Sequence, residues 1–85
     1  MTDTGTIEAR VRALIAGVAR QDVASLSREA DLVEALGVDS LQGLQILAGV
    51  EKHFDVRLPD DELVELRTIG RIVAIVERLQ RGGPA

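Results

Sequence analysis

The chain has 85 residues and is 46% hydrophobic, which supplies one small core but not a core together with a deep enclosed active site. It contains no cysteine, which excludes disulfides and thiolate metal sites, and Phe54 is its one aromatic residue, which argues against nucleic-acid binding by stacking. The net charge is −4. The N-terminus does not resemble a secretory signal, and no apolar run approaches the roughly 20 residues of a membrane span. We therefore expect a cytoplasmic protein.

The acidic residues are concentrated in the middle of the chain. Residues 29–66 carry ten acids and two bases, a net charge of −8, whereas the remaining residues carry +4. This distribution would repel nucleic acid and attract partners with basic surfaces. A solvated acidic surface without any partner would give the same pattern.

The first predicted helix covers about residues 6–20. Its apolar residues recur at spacings of three and four, as on one face of a helix: Ile7, Val11, Leu14, Ile15 and Val18. Residues 21–38 are predicted to form a long loop, and loops of this length in compact domains are uncommon and often functional. Four apolar side chains are expected to hold this loop to the core, namely Leu26, Leu32, Val33 and Leu36.

The second helix is predicted to begin at Asp39 or Ser40 and to end near Phe54. Asp39 and Gln42 have the spacing of a capping box, in which each side chain bonds the backbone N–H of the other residue. The core-facing stripe of this helix is expected to consist of Leu44, Leu47, Val50 and Phe54.

Two further helices are predicted after Pro59. The acids that follow it, Asp60, Asp61 and Glu62, favour the start of a short third helix that ends near residue 66. Because consecutive helical residues point about 100° apart, these acids are not expected to converge on a metal ion. Thr68 is expected to cap the fourth helix, whose apolar stripe is Ile69, Ile72, Val73, Val76 and Leu79.

These elements predict an all-α fold, a small four-helix bundle with a long first loop and a short third helix. The chain is expected to form a single domain over residues 1–85. Its ordered core should cover about residues 7–81, with flexible tails at 1–5 and 82–85.

Ser40 is the strongest candidate for a functional residue. It follows the expected turn at Gly37 and opens the second helix, where a simple N-cap serine is the alternative interpretation. Asp39 weakens that alternative, because it can cap the helix and leave the hydroxyl free. His53, the only histidine, lies about 20 Å away along the helix axis, so Ser40 lacks the adjacent base that a catalytic serine needs. We therefore expect that the chain is not an enzyme and that another enzyme modifies the hydroxyl of Ser40.

Three segments resemble the acyl carrier protein family. Residues 36–41, Leu-Gly-Val-Asp-Ser-Leu, are similar to the motif whose serine carries 4′-phosphopantetheine in that family. Residues 54–62 resemble its connection between the second and third helices, and residues 68–70 resemble the start of its fourth helix. The similarity covers about residues 7–81. It implies that a phosphopantetheinyl transferase attaches 4′-phosphopantetheine from coenzyme A to Ser40, and that the thiol of this arm holds acyl groups as thioesters.

The resemblance also implies how partners and cargo would be bound. Enzymes that load, extend or transfer the acyl group would dock with basic surfaces on Asp39, Leu41, Gln42, Gln45, Glu51, Asp60, Asp61 and Glu62. Whether cargo enters the bundle stays open at this point. A space between the second and third helices would be lined by residues that are also, and more simply, explained as ordinary core: Leu44, Leu47, Leu58, Leu63 and Ile69. Gly43 and Gly49 would make room for cargo or for a neighbouring side chain. A monomer is expected, because docking to successive enzymes needs an open surface.

The second helix departs from the carriers of fatty-acid synthesis, which are usually acidic along this helix. Here the corresponding residues are Gln42, Gln45, Lys52 and His53. The departure favours a discrete carrier for polyketide or other specialised acyl metabolism. Two alternatives stay open. One is an aminoacyl or peptidyl carrier, although aspartate before the serine is more typical of acyl carriers. The other is an unmodified helical interaction module that binds partners through its acidic face.

Overall fold

A computed structural model describes residues 4–82, where it contains five helices and no β-strand. They are α1 (Thr4–Ala19), α2 (Leu32–Leu36), α3 (Ser40–Phe54), a 3₁₀ helix (Asp60–Glu65) and α4 (Ile69–Gly82). The prediction of a small all-α bundle is confirmed for this part of the chain. Of the expected flexible tails, residues 1–3 and 83–85 lie outside the described residues, whereas residues 4, 5 and 82 belong to α1 and α4.

Helix α1 packs against both α3 and α4. In the N-terminal half of α1, Arg10 donates a hydrogen bond of 2.9 Å to Nε2 of His53, near the end of α3. At its other end, the carbonyl of Val18 accepts a bond from Gln42, in the first turn of α3. The two helices therefore run antiparallel. The buried core between the long helices includes Ile7, Val11, Ile15, Ile46, Val50, Phe54, Ile69, Ile72, Val73, Ile75 and Val76.

The buried face of α3 differs from the predicted stripe. Val50 and Phe54 are buried as predicted, but Ile46 takes the third core position, Leu44 is exposed and Leu47 is half-buried. The placement of Leu44 in the core was wrong. Residues 44 and 47 have the spacing of one helical face, and residues 46, 50 and 54 have the spacing of another. Periodicity alone does not show which of these two faces packs against α1.

The predicted loop contains a helix that the sequence analysis missed. Asp31 caps α2, since its Oδ1 accepts hydrogen bonds from the N–H groups of Val33 at 2.9 Å and Glu34 at 3.2 Å. Gly37 ends α2 in the left-handed conformation, with φ of 71°, and its N–H bonds the carbonyl of Val33 at 2.9 Å. A helix of five residues is too short to produce a periodic apolar signal.

The side chains that hold this segment to the core were only partly predicted. Leu32 is buried and Leu26 and Leu36 pack against the core, as expected. Val33 is exposed, and its expected role was wrong because α2 turns it to the outer side. Val23 is buried and was not predicted to contribute.

A half-buried arginine fastens the first part of this segment to α1. The guanidinium of Arg12 donates to the carbonyl oxygens of Val23 and Leu26, each at 2.7 Å. It also pairs with Glu8 at 2.8 Å, and the second carboxylate oxygen of Glu8 pairs with Arg28 at 2.8 Å. Arg12 thereby provides hydrogen-bond donors for two backbone carbonyl groups in a segment that is not helical.

The predicted short third helix is the 3₁₀ helix, which Pro59 precedes. Oγ1 of Thr68 accepts a hydrogen bond from the N–H of Arg71 at 3.1 Å, so the predicted cap of α4 is confirmed. Between residues 4 and 82, none of the helices has the length and apolar character needed to cross a bilayer.

Candidate functional site

Ser40 is the first residue of α3. The short connection before it is held between the end of α2 and the cap of α3. Gly37 ends α2, Val38 is buried, and Asp39 is extended with φ of −90° and ψ of 179°. Oδ1 of Asp39 accepts the N–H of Gln42 at 2.7 Å, and Oε1 of Gln42 accepts the N–H of Asp39 at 3.2 Å. The predicted capping box is confirmed.

Because Asp39 supplies the cap, the hydroxyl of Ser40 has no structural task. Ser40 is exposed, and its side chain forms no hydrogen bond with any residue between 4 and 82. A serine that is rigidly placed and unengaged is available to a second protein. The only histidine does not lie beside Ser40, since His53 is at the opposite end of α3 and bonds Arg10.

No group of His, Cys, Asp or Glu side chains in the described part of the chain is arranged to hold a metal ion. Asp60 and Asp61, at the start of the 3₁₀ helix, are exposed and form no ion pair with any residue between 4 and 82.

A groove of about 700 Å³ opens beside Ser40, between α2, α3 and the 3₁₀ helix. Of the five residues that the sequence analysis placed around a cargo space, Leu44, Leu47 and Leu63 line this groove. Leu58 and Ile69 are buried in the core and do not border it. The groove is lined mainly by apolar side chains, and it lies directly next to the hydroxyl.

The two glycines of α3 have different surroundings. Gly43 lines the groove, and a Cβ added there would meet no other atom within 4 Å. A Cβ at Gly49 would lie 3.4 Å from Cδ2 of Leu14 in α1, which is an ordinary van der Waals contact with a neighbouring side chain. Gly43 therefore widens the groove, and Gly49 accommodates a neighbouring side chain.

An ion pair lies at the border of the groove. Arg67, which lines it, pairs with Asp31 at 2.9 Å, and the carbonyl of Arg67 accepts the N–H of Leu32 at 2.8 Å. Partial desolvation raises the pKa of the Asp31 carboxyl, but the hydrogen bonds from Glu34, Arg67 and Val33 and the positive charge of Arg67 together outweigh it. The pKa of Asp31 is therefore held below its usual range. Sequence reasoning missed Arg67, because its partner caps a helix that leaves no periodic signal.

Four of the predicted docking residues keep their side chains available. Leu41, Gln45, Asp60 and Asp61 are exposed, and their side chains form no hydrogen bond or ion pair with the described residues. Asp39 is also exposed, but its carboxylate is used as the cap of α3.

Three other predicted docking residues are used within the fold. Gln42 donates to the carbonyl of Val18 at 3.4 Å in addition to its part in the capping box. Oε2 of Glu51 accepts the N–H of Leu58 at 2.7 Å, and Glu62 pairs with Arg78 at 2.8 Å. The sequence gives no sign of these bonds, because their partners come from distant positions.

These surroundings fit a phosphodiester on Ser40. The N-terminus of a helix favours negative charge, because its unpaired N–H groups and its dipole are both directed toward that end. The exposed hydroxyl leaves room for a flexible chain, and the apolar groove offers a place for an apolar group that such a chain carries.

Comparison with known proteins identifies the family of this chain. A family model described as the phosphopantetheine attachment site matches residues 9–76. An acyl carrier protein of Akkermansia muciniphila is 31% identical over 75 residues, which make up 88% of this chain and 94% of that protein. The meromycolate extension acyl carrier protein of Mycobacterium tuberculosis is 31% identical over 78 residues, or 92% of this chain and 68% of that protein.

A non-reducing polyketide synthase of Emericella nidulans is 26% identical over 80 residues, which are 94% of this chain but 3% of the synthase. The family model and the similar proteins cover most of the chain, including the segment around Ser40. The chain belongs to the acyl carrier protein family, whose members are carriers rather than catalysts and whose domain contains the attachment site of phosphopantetheine.

Proposed function

We propose that Ser40 is the attachment residue and that the chain is a discrete carrier of acyl groups. The observation that carries this proposal is the exposed, unbonded hydroxyl at the first position of α3, with Asp39 acting as the cap. When attached, the arm supplies a terminal thiol on which acyl intermediates are held as thioesters. The carrier presents them to partner enzymes.

The attachment step needs no base from this chain. The transferase brings coenzyme A and Mg²⁺, and Oγ of Ser40 attacks the phosphorus that bears the pantetheine part of the pyrophosphate. A P–O bond to Oγ forms, the bond to the bridging oxygen breaks, the nucleotide leaves with that oxygen, and the transferase takes the hydroxyl proton. The carrier contributes a nucleophile in a fixed position, and Asp39 lies beside it to help the transferase dock or bind its metal.

The groove beside Ser40 is proposed to shelter part of the cargo. Leu44, Leu47 and Leu63 line it, and Gly43 widens it. Burial of an apolar group against these side chains would contribute about 25 cal/mol per Å². Because the groove is open to solvent, the cargo can leave it when a partner enzyme takes the arm.

The partners are proposed to be a phosphopantetheinyl transferase and enzymes that load, extend or transfer the acyl group. The acidic half of the chain attracts basic surfaces on these partners over a distance of about a Debye length, which makes the encounter dependent on salt. The carrier is proposed to act as a monomer.

The pathway is proposed to be polyketide or other specialised acyl metabolism. The support is α3, whose exposed side carries Gln45, Lys52 and His53 where acids are usual in carriers of fatty-acid synthesis. A similarity to part of a polyketide synthase agrees with this proposal but does not select it over the other carriers that are similar.

Intact-protein mass spectrometry tests the attachment residue directly. The protein is incubated with coenzyme A, Mg²⁺ and a broad-specificity phosphopantetheinyl transferase, beside Ser40→Ala and the control Ser25→Ala. Ser25 is also exposed, and its side chain has no partner in the described residues. The wild type and Ser25→Ala should gain the mass of one phosphopantetheine, and Ser40→Ala should gain none.

Modification of Ser40→Ala would contradict the assignment of the residue. Absence of modification in a folded wild type, beside a carrier that the same transferase modifies, would contradict the carrier function itself. Circular dichroism of each variant shows whether it is folded.

A further inference from the structure

Four exposed apolar side chains gather around Ser40. Among the described residues, the large hydrophobic side chains that are exposed are Val33 (46%), Leu41 (64%), Leu44 (59%) and Val64 (78%). Three of them line the groove together with Ser40, and Leu41 follows Ser40 in α3. We call these four residues the apolar rim. Exposed apolar residues are ordinary when scattered, but here α2, α3 and the 3₁₀ helix all contribute them to one place.

On its α3 side the apolar rim has little free charge beside it, whereas on its α2 side the exposed carboxylate of Glu34 follows Val33. Helix α3 has no charged residue between Ser40 and Val50, and its exposed positions Gln45 and Ala48 are neutral. The two charged residues that line the groove are already engaged, Asp39 in the cap of α3 and Arg67 in an ion pair.

We propose that the phosphopantetheinyl transferase that modifies Ser40 places an apolar, uncharged surface on the apolar rim. This inference rests on the proposed function. To bring the phosphorus of coenzyme A within bonding distance of Oγ, the transferase must cover Ser40 and therefore the side chains on either side of it. A cationic surface pressed against Leu44 and Val64 would lose water without gaining a charged partner, which is unfavourable.

The acidic residues change the rate of association with the transferase and not the contact itself. Asp60 and Asp61 are exposed and unpaired at the start of the 3₁₀ helix, and they contribute to the field that attracts a basic partner. Charges outside a contact mainly change the rate of association, whereas groups buried in its centre set how long the complex lasts.

The carrier's own cargo is the other candidate occupant of the apolar rim. The protein that the transferase receives has no arm and therefore no cargo. An effect of rim substitutions on the first modification thus reports on docking alone.

The test compares the kcat/KM of the transferase for unmodified carrier variants, measured by mass spectrometry at about 50 mM and about 500 mM salt. The rim variants are Leu44→Gln and, as an independent second change, Val64→Gln. The matched control is Ala13→Gln, on the exposed side of α1. The acid variant is the double change Asp60→Asn and Asp61→Asn. Both rim residues are exposed, so folding should persist, which circular dichroism checks.

Each rim variant should lose about tenfold in kcat/KM at both salt concentrations, mainly through a higher KM. The control should match the wild type, and the acid variant should be slower at low salt only. Rim variants that are modified at the wild-type rate would overturn the inference. So would a wild type that sediments as a dimer and is modified faster once a rim substitution makes it monomeric. A wild type that is not modified at all would instead contradict the proposed function.

Discussion

Replacing Arg12 with alanine is expected to lower the free energy of unfolding by about 3 kcal/mol. The guanidinium donates two hydrogen bonds of 2.7 Å to the carbonyl oxygens of Val23 and Leu26. A hydrogen bond from a charged donor contributes about 1.5 to 3 kcal/mol. We take the lower end for each bond, because the Arg12 side chain keeps 17% of its exposure and water can replace part of the loss. A domain of this length has about 4 to 13 kcal/mol in total, so the change is large.

Urea denaturation followed by the helical circular dichroism signal measures this effect, and Arg71→Ala is the matched control. Arg71 pairs with Glu65, but the two side chains are 62% and 64% exposed, so its loss should cost less than about 0.5 kcal/mol. The midpoint should fall clearly for Arg12→Ala and hardly move for Arg71→Ala, with similar slopes. Equal midpoints for the two variants would refute the reasoning that Arg12 holds the segment before α2 in place.

Three further predictions concern the surroundings of the site. Gly37→Ala should lower the free energy of unfolding by about 1 kcal/mol, because Gly37 has a φ of 71°, which residues with a Cβ adopt at a cost. Gly43→Ala should raise the free energy of unfolding by about 1 kcal/mol, because Gly43 is helical and an added Cβ would meet no neighbouring side chain. Midpoint shifts of the same sign would contradict this pair. The lowered pKa of Asp31 contributes stability that is present above pH about 4 and is lost as the pH falls through the folded-state pKa, so Asp31→Asn should flatten this part of the pH profile of stability. An unchanged profile would contradict it. Glu51→Ala should destabilise the fold by about 1 to 2 kcal/mol, because it removes the acceptor of the Leu58 N–H, and Glu51→Gln should retain most of the stability. A Glu51→Gln variant as unstable as Glu51→Ala would show that the acceptor is not the reason.

The long helices could be predicted because each carries many periodic positions. In α1 and α4 the predicted apolar stripe lies on the buried face, with its outer members partly buried, and Ile75 is the buried residue of α4 that was not predicted. The predicted cap at Thr68 is present. The capping box of α3 could also be predicted, since its two residues are three positions apart and depend only on local geometry. Local signals therefore located Ser40 at a helix start before any tertiary information was used.

The parts that could not be predicted depend on tertiary contacts. Which stripe of α3 is buried is decided by where α1 lies, so Leu44 was misplaced. Helix α2 contains five residues, too few for a periodic pattern. Its sequence signals are its two caps, Asp31 and Gly37. The pairing of Arg67 with Asp31 joins residues far apart in the sequence, and a single sequence gives no indication of such pairs.

The acidic half of the chain illustrates why net charge and contact chemistry must be distinguished. Residues 29–66 carry −8, but several of these acids are used within the fold as caps or in hydrogen bonds and ion pairs, namely Asp31, Asp39, Glu51, Glu62 and Glu65. A distant partner responds to the summed field, in which bases elsewhere in the chain offset this charge only partly. A partner in contact meets individual side chains, and apart from Asp39, whose carboxylate caps α3, those of α3 nearest Ser40 are apolar or neutral. The same sequence can therefore speed the encounter with a basic partner by its charge, while the contact that we propose at Ser40 is made by the apolar rim.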